Sequence, residues 1–201
     1  MIKQIFLASA LVCLGTAQQV LAGADPLPVV VTDSFSVTGN ITIDRASGAM
    51  TGDGAIRWNN GEYYEGHLLA GNKQGRGVFV WQNGQRYEGN WLDDRMTGQG
   101  RLAYANGDLY EGAFLDGEPH GTGTYTTAGG TVYRGAWVHG QKQGVGRLTW
   151  EDGDYWEGEF SKDQPTENGK LVLGNAPDEP DPSAKLADAR AGKRALAKKA
   201  K

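Results

Sequence analysis

Between residues 60 and 173, large apolar residues alternate with small or polar ones. Successive bulky positions are separated by two or four residues. Counted from Tyr64 in units of 23, position 1 holds Tyr64, Tyr87, Tyr110, Tyr133 and Trp156, and position 5 holds Leu68, Trp91, Phe114, Trp137 and Phe160. Position 16 holds Phe79, Leu102, Tyr125, Leu148 and Leu171, and position 18 holds Trp81, Tyr104, Thr127, Trp150 and Leu173. This is strand spacing rather than helix spacing. The glycines at positions 3 and 14 fall inside the same runs, where they disfavour a helix. Each unit therefore predicts one β-hairpin.

The unit recurs without a slip. Tyr64-Glu65-Gly66 returns as Tyr87-Glu88-Gly89, Tyr110-Glu111-Gly112, Tyr133-Arg134-Gly135 and Trp156-Glu157-Gly158. Gly75 and Gly77 return in step as Gly98 and Gly100, Gly121 and Gly123, and Gly144 and Gly146. Self-similarity of this length marks a repeat architecture whose units bury surface against their neighbours. No catalytic group recurs with the unit.

The spacing predicts that positions 1–5 pair with positions 14–18, so that 5 faces 14, 3 faces 16 and 1 faces 18. Trp91 would then cover Gly100, and Leu102 would cover Gly89, placing a large residue over each strand glycine. Units are joined through Asn83-Gly84, Asn106-Gly107, Gly129-Gly130 and Asp152-Gly153. A three-residue loop there, with the glycine third and left-handed, sets position 16 beside the next position 1. It also keeps the bulky set on one face. The opposite face receives Glu65, Val78, Glu88, Arg101, Thr124 and Arg147, a mixture that suits water.

The expected fold is all-β: an elongated, twisted, single-layer antiparallel meander of 23-residue hairpins, advancing ~10 Å per unit. Upstream, Gly52, Gly54, Trp58 and Gly61 keep the register, with Ile41 at position 1 of a degenerate first hairpin. Downstream, Glu167 replaces a glycine of the pair and the array frays near Leu173. The expected divisions are a signal peptide over 1–24, N-terminal extended or capping strands over 25–47, the repeat array over 48–173, and a linker and tail over 174–201.

The pattern Tyr-Glu-Gly-x-Trp, then Gly-x-x-x-Gly-x-Gly, then an aromatic and Asn-Gly, resembles the MORN (membrane occupation and recognition nexus) repeat over about residues 48–173. Departures fall at Asp94, Arg134, Asp163 and Glu167. The resemblance implies an elongated sheet that acts as a scaffold for protein association or phospholipid contact, and it implies no catalytic activity and no cofactor.

The flanks add a destination. Lys3, the apolar run from Ile5 to Leu14, and Ala22-Gly23-Ala24 read as an export signal. Cleavage is expected between Ala24 and Asp25, with Ala22/Gly23 as the alternative. Retention as an anchor is a further alternative, although the run is shorter than the ~20 residues of a spanning helix. The single cysteine, Cys13, lies in this segment, so the exported chain would carry no thiol. Residues 25–43 supply either one or two strands covering the first sheet edge or a mobile leader. Residues 175–182 form a Pro-rich acidic linker, and 183–201 an Ala- and Lys-rich basic tail that is helical or solvated. The net charge is −4, and the charge of the tail leaves residues 25–174 at about −8. That balance argues against nucleic acid as a partner.

Candidate chemistry follows from this plan. The glutamate column Glu65, Glu88, Glu111 and Glu157 recurs at ~10 Å intervals, too far apart for a shared cation. Its expected role is to accept hydrogen bonds from turn amides. His67, His120 and His139 occupy different unit positions and show no metal-ligand spacing. No Ser-His-Asp set or phosphate-binding loop stands out, and a glycan hydrolase with two carboxylates is the weakest of the functional readings.

The candidate partner surface is the ring-bearing face, comprising Trp58, Tyr64, Trp81, Tyr87, Trp91, Tyr104, Tyr110, Phe114, Tyr133, Trp137 and Trp150. Those rings either pack on one another as a minimal core or form an apolar patch of the kind that marks an interaction site. Lys193, Arg194, Lys198, Lys199 and Lys201 would contact anionic surfaces. The leading expectation is a non-catalytic scaffold of the cell envelope, periplasmic or secreted, that binds a protein or a second copy of itself. The alternative is binding of envelope glycan or anionic phospholipid.

Overall fold

The computed structural model describes residues 30–174. The expected signal peptide, and the linker and tail from residue 175 onward, lie outside the described residues. Thirteen antiparallel strands form one open sheet in strict chain order, with no helix among the described residues. They are β1 (Val30–Val31), β2 (Phe35–Ile43), β3 (Met50–Trp58), β4 (Tyr63–Leu69), β5 (Asn72–Val80), β6 (Arg86–Leu92) and β7 (Arg95–Ala103). After them come β8 (Leu109–Leu115), β9 (Glu118–Thr126), β10 (Val132–Val138), β11 (Gln141–Thr149), β12 (Tyr155–Ser161) and β13 (Gln164–Val172).

The joints between units are the expected three-residue loops. Trp81 N–H donates to Gln85 O at 2.9 Å, and Gly84, at φ +85°, donates to Trp81 O at 2.9 Å. Phe79 consequently pairs with Tyr87, which is position 16 beside the next position 1.

Within each hairpin the register differs from expectation. Tyr87 pairs with Leu102, Gly89 with Gly100 and Trp91 with Met96, so position 1 faces 16, 3 faces 14 and 5 faces 10. Trp91 does not cover Gly100, and Leu102 does not cover Gly89. The cause is a tighter turn and a bulge. Leu92 and Arg95 flank a two-residue turn, Asp93-Asp94, with φ of +47° and +66°. The returning strand therefore starts at position 9, and it absorbs two extra residues at Gly98 and Gln99 before pairing resumes. Gly98 sits in that bulge at φ +57°.

The first hairpin is also reassigned. Val37 pairs with Ile56 and Gly39 with Gly54, so Val37, fully buried, takes the place of the tyrosine. Counting back 23 residues points to Ile41 because this hairpin is four residues longer than the others and lacks the bulge. Ahead of it, β1 pairs with β2 through Val30↔Val37.

The core lies on one face of the sheet, where alternate residues of every strand from β2 onward point inward. The outer face carries the glutamate column, which does not accept from turn amides. Glu111 pairs with Arg101 at 3.1 Å, Glu157 with Arg147 at 2.6 Å and Glu88 with Arg86 at 2.8 Å, while Glu65 accepts from the Tyr63 hydroxyl at 2.5 Å. Position 15 of the neighbouring strand supplies two of these arginines, so cross-strand pairing governs this face.

Candidate functional site

A single layer has no second layer to bury its rings, and the glycine pairs solve that problem. Gly89 and Gly100 lie opposite each other, and their missing side chains leave a hollow in which the Tyr87 ring lies flat. A Cβ on Gly100 would meet Tyr87 Cε2 at 2.5 Å, and one on Gly89 would meet the Tyr87 hydroxyl at 2.4 Å. The hydroxyl then reaches along its own strand to donate to Asn90 O at 2.9 Å. Tyr64, Tyr110 and Tyr133 repeat the bond to His67 O, Ala113 O and Ala136 O at 2.7, 2.9 and 3.0 Å. Burial pushes Tyr87, Tyr110 and Tyr133 up to about 12, and raises Tyr64 further, so all four remain neutral donors.

The position-5 ring of the following unit fits between successive tyrosines. The result is a zigzag of nine rings, Tyr64–Trp91–Tyr87–Phe114–Tyr110–Trp137–Tyr133–Phe160–Trp156. Every contact in it is edge-to-face, with centroids 4.7–6.1 Å apart. This is the preferred geometry for aromatic quadrupoles. Trp91 and Trp137 further anchor the ladder by donating to Gly77 O and Gly123 O at 3.2 Å.

Successive hairpin turns are locked to each other across this face. Gly71, Gly117 and Gly140 at position 8 donate to the carbonyls of Met50, Met96 and Pro119 in the preceding unit at 2.8–2.9 Å. At two joints the partners are lysine and aspartate instead. Lys73 is 7% exposed. Its ammonium lies 5.1–5.8 Å from the ring centroids of Phe79, Trp91 and Tyr64, and 2.8 Å from Asp94 Oδ1. Lys142 repeats the arrangement with Tyr125, Tyr133 and Trp137 at 5.5–5.6 Å and with Asp163 at 3.8 Å. The two departures from glycine at position 8, Asp94 and Asp163, are therefore the counter-ions of lysines one unit earlier.

Between the hairpin turns and the three-residue loops, the ring-bearing face of the first units opens into a groove of about 870 Å³. Its floor is Tyr64, Phe79 and Trp91, one wall is Trp58 and Trp81, and Lys73 and Met96 lie on the turn side. Phe79 stacks edge-on against Trp81 at 4.7 Å and tilts against Trp58 at 6.0 Å. The tyrosine hydroxyl and the ammonium on this surface are already committed to a carbonyl and a carboxylate. What remains for a ligand is apolar contact with a charged rim of Glu62, Arg95 and Asp116.

Eight of the eleven expected surface residues, Tyr64, Tyr87, Trp91, Tyr110, Phe114, Tyr133, Trp137 and Trp150, are buried at 6% exposure or less. They form the core, and of them Tyr64 and Trp91 also floor the groove. Trp58, Trp81 and Tyr104 stay half-buried. The groove also uses Phe79, a bulky residue of the alternation outside the candidate surface, and Lys73 and Met96, which the alternation alone does not single out; the signal for Lys73 is the aspartate that replaces glycine at residue 94. Lys193, Arg194, Lys198, Lys199 and Lys201 lie outside the described residues.

His67 faces Asp53 at 2.9 Å, and His139 faces Glu118 at 3.3 Å. Among the described residues, no group of three His, Cys, Asp or Glu side chains could hold a metal ion.

The profile of the MORN repeat matches five consecutive stretches, residues 64–86, 87–109, 110–132, 133–155 and 156–175, more than half of the sequence. Repeats of this kind are commonly interaction or binding modules and are generally non-enzymatic. No curated protein matches the sequence.

Proposed function

The chain belongs to the MORN repeat family, and from that premise we propose that it is a non-catalytic scaffold of the cell envelope whose groove holds a segment of a protein partner. The observation that carries this reading is the 870 Å³ groove, where Trp58 and Trp81 keep part of their rings accessible beside a satisfied polar floor. Half-buried tryptophans beside a tyrosine hydroxyl and an ammonium that already have partners favour an apolar anchor, the usual centre of a protein contact. The export-like segment over residues 1–24 supports the envelope as its place of action.

Affinity capture from envelope extracts, run with the full chain and with a Trp58→Ala/Trp81→Ala variant, tests the proposal. A protein retained by the first and lost from the second is the expected result. Equal recovery by both would remove the groove from the function. The same two rings could instead stack on a sugar, so retention on insoluble envelope glycan, lost in the double variant, favours the second reading.

A further inference from the structure

The outer face carries a feature that the groove does not explain. Position 6, the last strand residue before the hairpin turn, is Leu69, Leu92, Leu115 and Val138 in the first four units and Ser161 in the fifth. Following a buried position 5, each points outward, and the four aliphatic residues are 49%, 52%, 43% and 41% exposed. The repeat sets them ~10 Å apart in one line. A row of four aliphatic side chains standing in water, one in each of the first four units, is an unpartnered ridge.

Beside each of them, paired across the hairpin, stands position 9: Asn72 by Leu69, Arg95 by Leu92, Glu118 by Leu115 and Gln141 by Val138. This second row is self-complementary about Leu115. A two-fold axis over Leu115 sets Leu92 against Val138 of a second copy, Arg95 against Glu118 of that copy, and Asn72 against Gln141. Arg95 and Glu118 currently contact Asp116 at 3.1 Å and His139 at 3.3 Å, but both side chains are more than half exposed. Pairs of that kind contribute little and re-pair readily. We propose that this ridge is the contact between two copies of the chain, isologous about Leu115 and registered by the Arg95–Glu118 pair. Closed two-fold pairing is the commonest assembly open to such a surface. The aliphatic row lies on the face opposite the rings that floor the groove; Asn72 and Arg95, at the turn end, also border the groove.

Sedimentation equilibrium of the full chain over a wide concentration range is the test. The wild-type mass is expected to rise towards that of a dimer. Arg95→Glu and Glu118→Arg are each expected to weaken association at least about tenfold by placing like charges in contact. An equimolar mixture of the two variants should associate again, because every contact in the mixed dimer joins Glu to Arg. Leu115→Asp, on the axis, should abolish the dimer while leaving the near-ultraviolet circular dichroism unchanged. A wild-type chain that stays monomeric at all concentrations would assign the ridge to another protein or a membrane and overturn the proposal. So would single variants that pair as well as wild type, or a mixture that associates no better than its components.

Discussion

Lys73 and Asp94 are joined twice through one oxygen. The backbone N–H of Lys73 donates to Asp94 Oδ1 at 2.9 Å, and its ammonium reaches the same atom at 2.8 Å. The aspartate thus anchors a turn and neutralises a cation held among three rings. Asp94→Gly restores the turn residue found at Gly71, Gly117 and Gly140 but strands the ammonium, and should cost about 2 kcal/mol or more. The double variant Lys73→Met/Asp94→Gly copies the Met96–Gly117 joint and should recover to within ~1 kcal/mol of wild type. Urea unfolding of the three proteins decides the matter, and a single variant as stable as wild type would show that the pair stabilises nothing.

Gly100 is held to glycine by a ring and not by backbone strain. Gly100→Ala places a Cβ against Tyr87 and should cost ~1–3 kcal/mol through forced displacement of the ring. In a Tyr87→Ala background the same substitution should cost almost nothing further. A double-mutant cycle by thermal unfolding measures this coupling directly, and additive effects would contradict it.

The tyrosine column makes the fold sensitive to alkali. Tyr87, Tyr110 and Tyr133 are pushed from 10 to about 12 by burial, so the folded chain keeps protons that the unfolded chain gives up. Their contribution is complete below pH 10 and is lost as pH rises through 12. Tyrosinate absorbance near 295 nm should therefore appear in step with loss of strand circular dichroism above pH 10. Ionisation of most tyrosines well before unfolding would refute the assignment.

Rings of the ladder and rings of the groove wall should separate in mutagenesis. Trp137→Ala removes a ring lodged between Tyr110 and Tyr133 and should destabilise by ~3–5 kcal/mol. Trp81→Ala, at a half-buried site, should cost ~1–2 kcal/mol by area alone. Comparable losses at both sites, read by urea midpoint, would mean that Trp81 belongs to the core and is not available for binding.

The alternation of rings and glycines made the meander, the shared aromatic face and the three-residue loops legible before any coordinates. The hairpin register was not. Two residues at Gly98 and Gln99 are absorbed in a bulge, and side-chain alternation looks the same on either side of it. Strand spacing alone suggests cover for each glycine from across the hairpin, whereas Tyr87 covers Gly89 from its own strand. The candidate surface was too large for the same reason: rings that lie flat on glycine need no second layer. Asp94 and Asp163 looked like departures from the motif because their partners, Lys73 and Lys142, sit 21 residues away in the preceding unit.

Each strand pairs only with the next along the chain, and each turn is clasped only to the turn before it. No keystone holds the array together, so its length is a free parameter. Excising or copying the 23-residue block 95–117, cut at the hairpin turns, would change the span of the ribbon while leaving the lysine–aspartate clasps in place. A gene bearing such a design can set the distance between two tethered objects by duplication alone, much as a measuring chain is lengthened by a link.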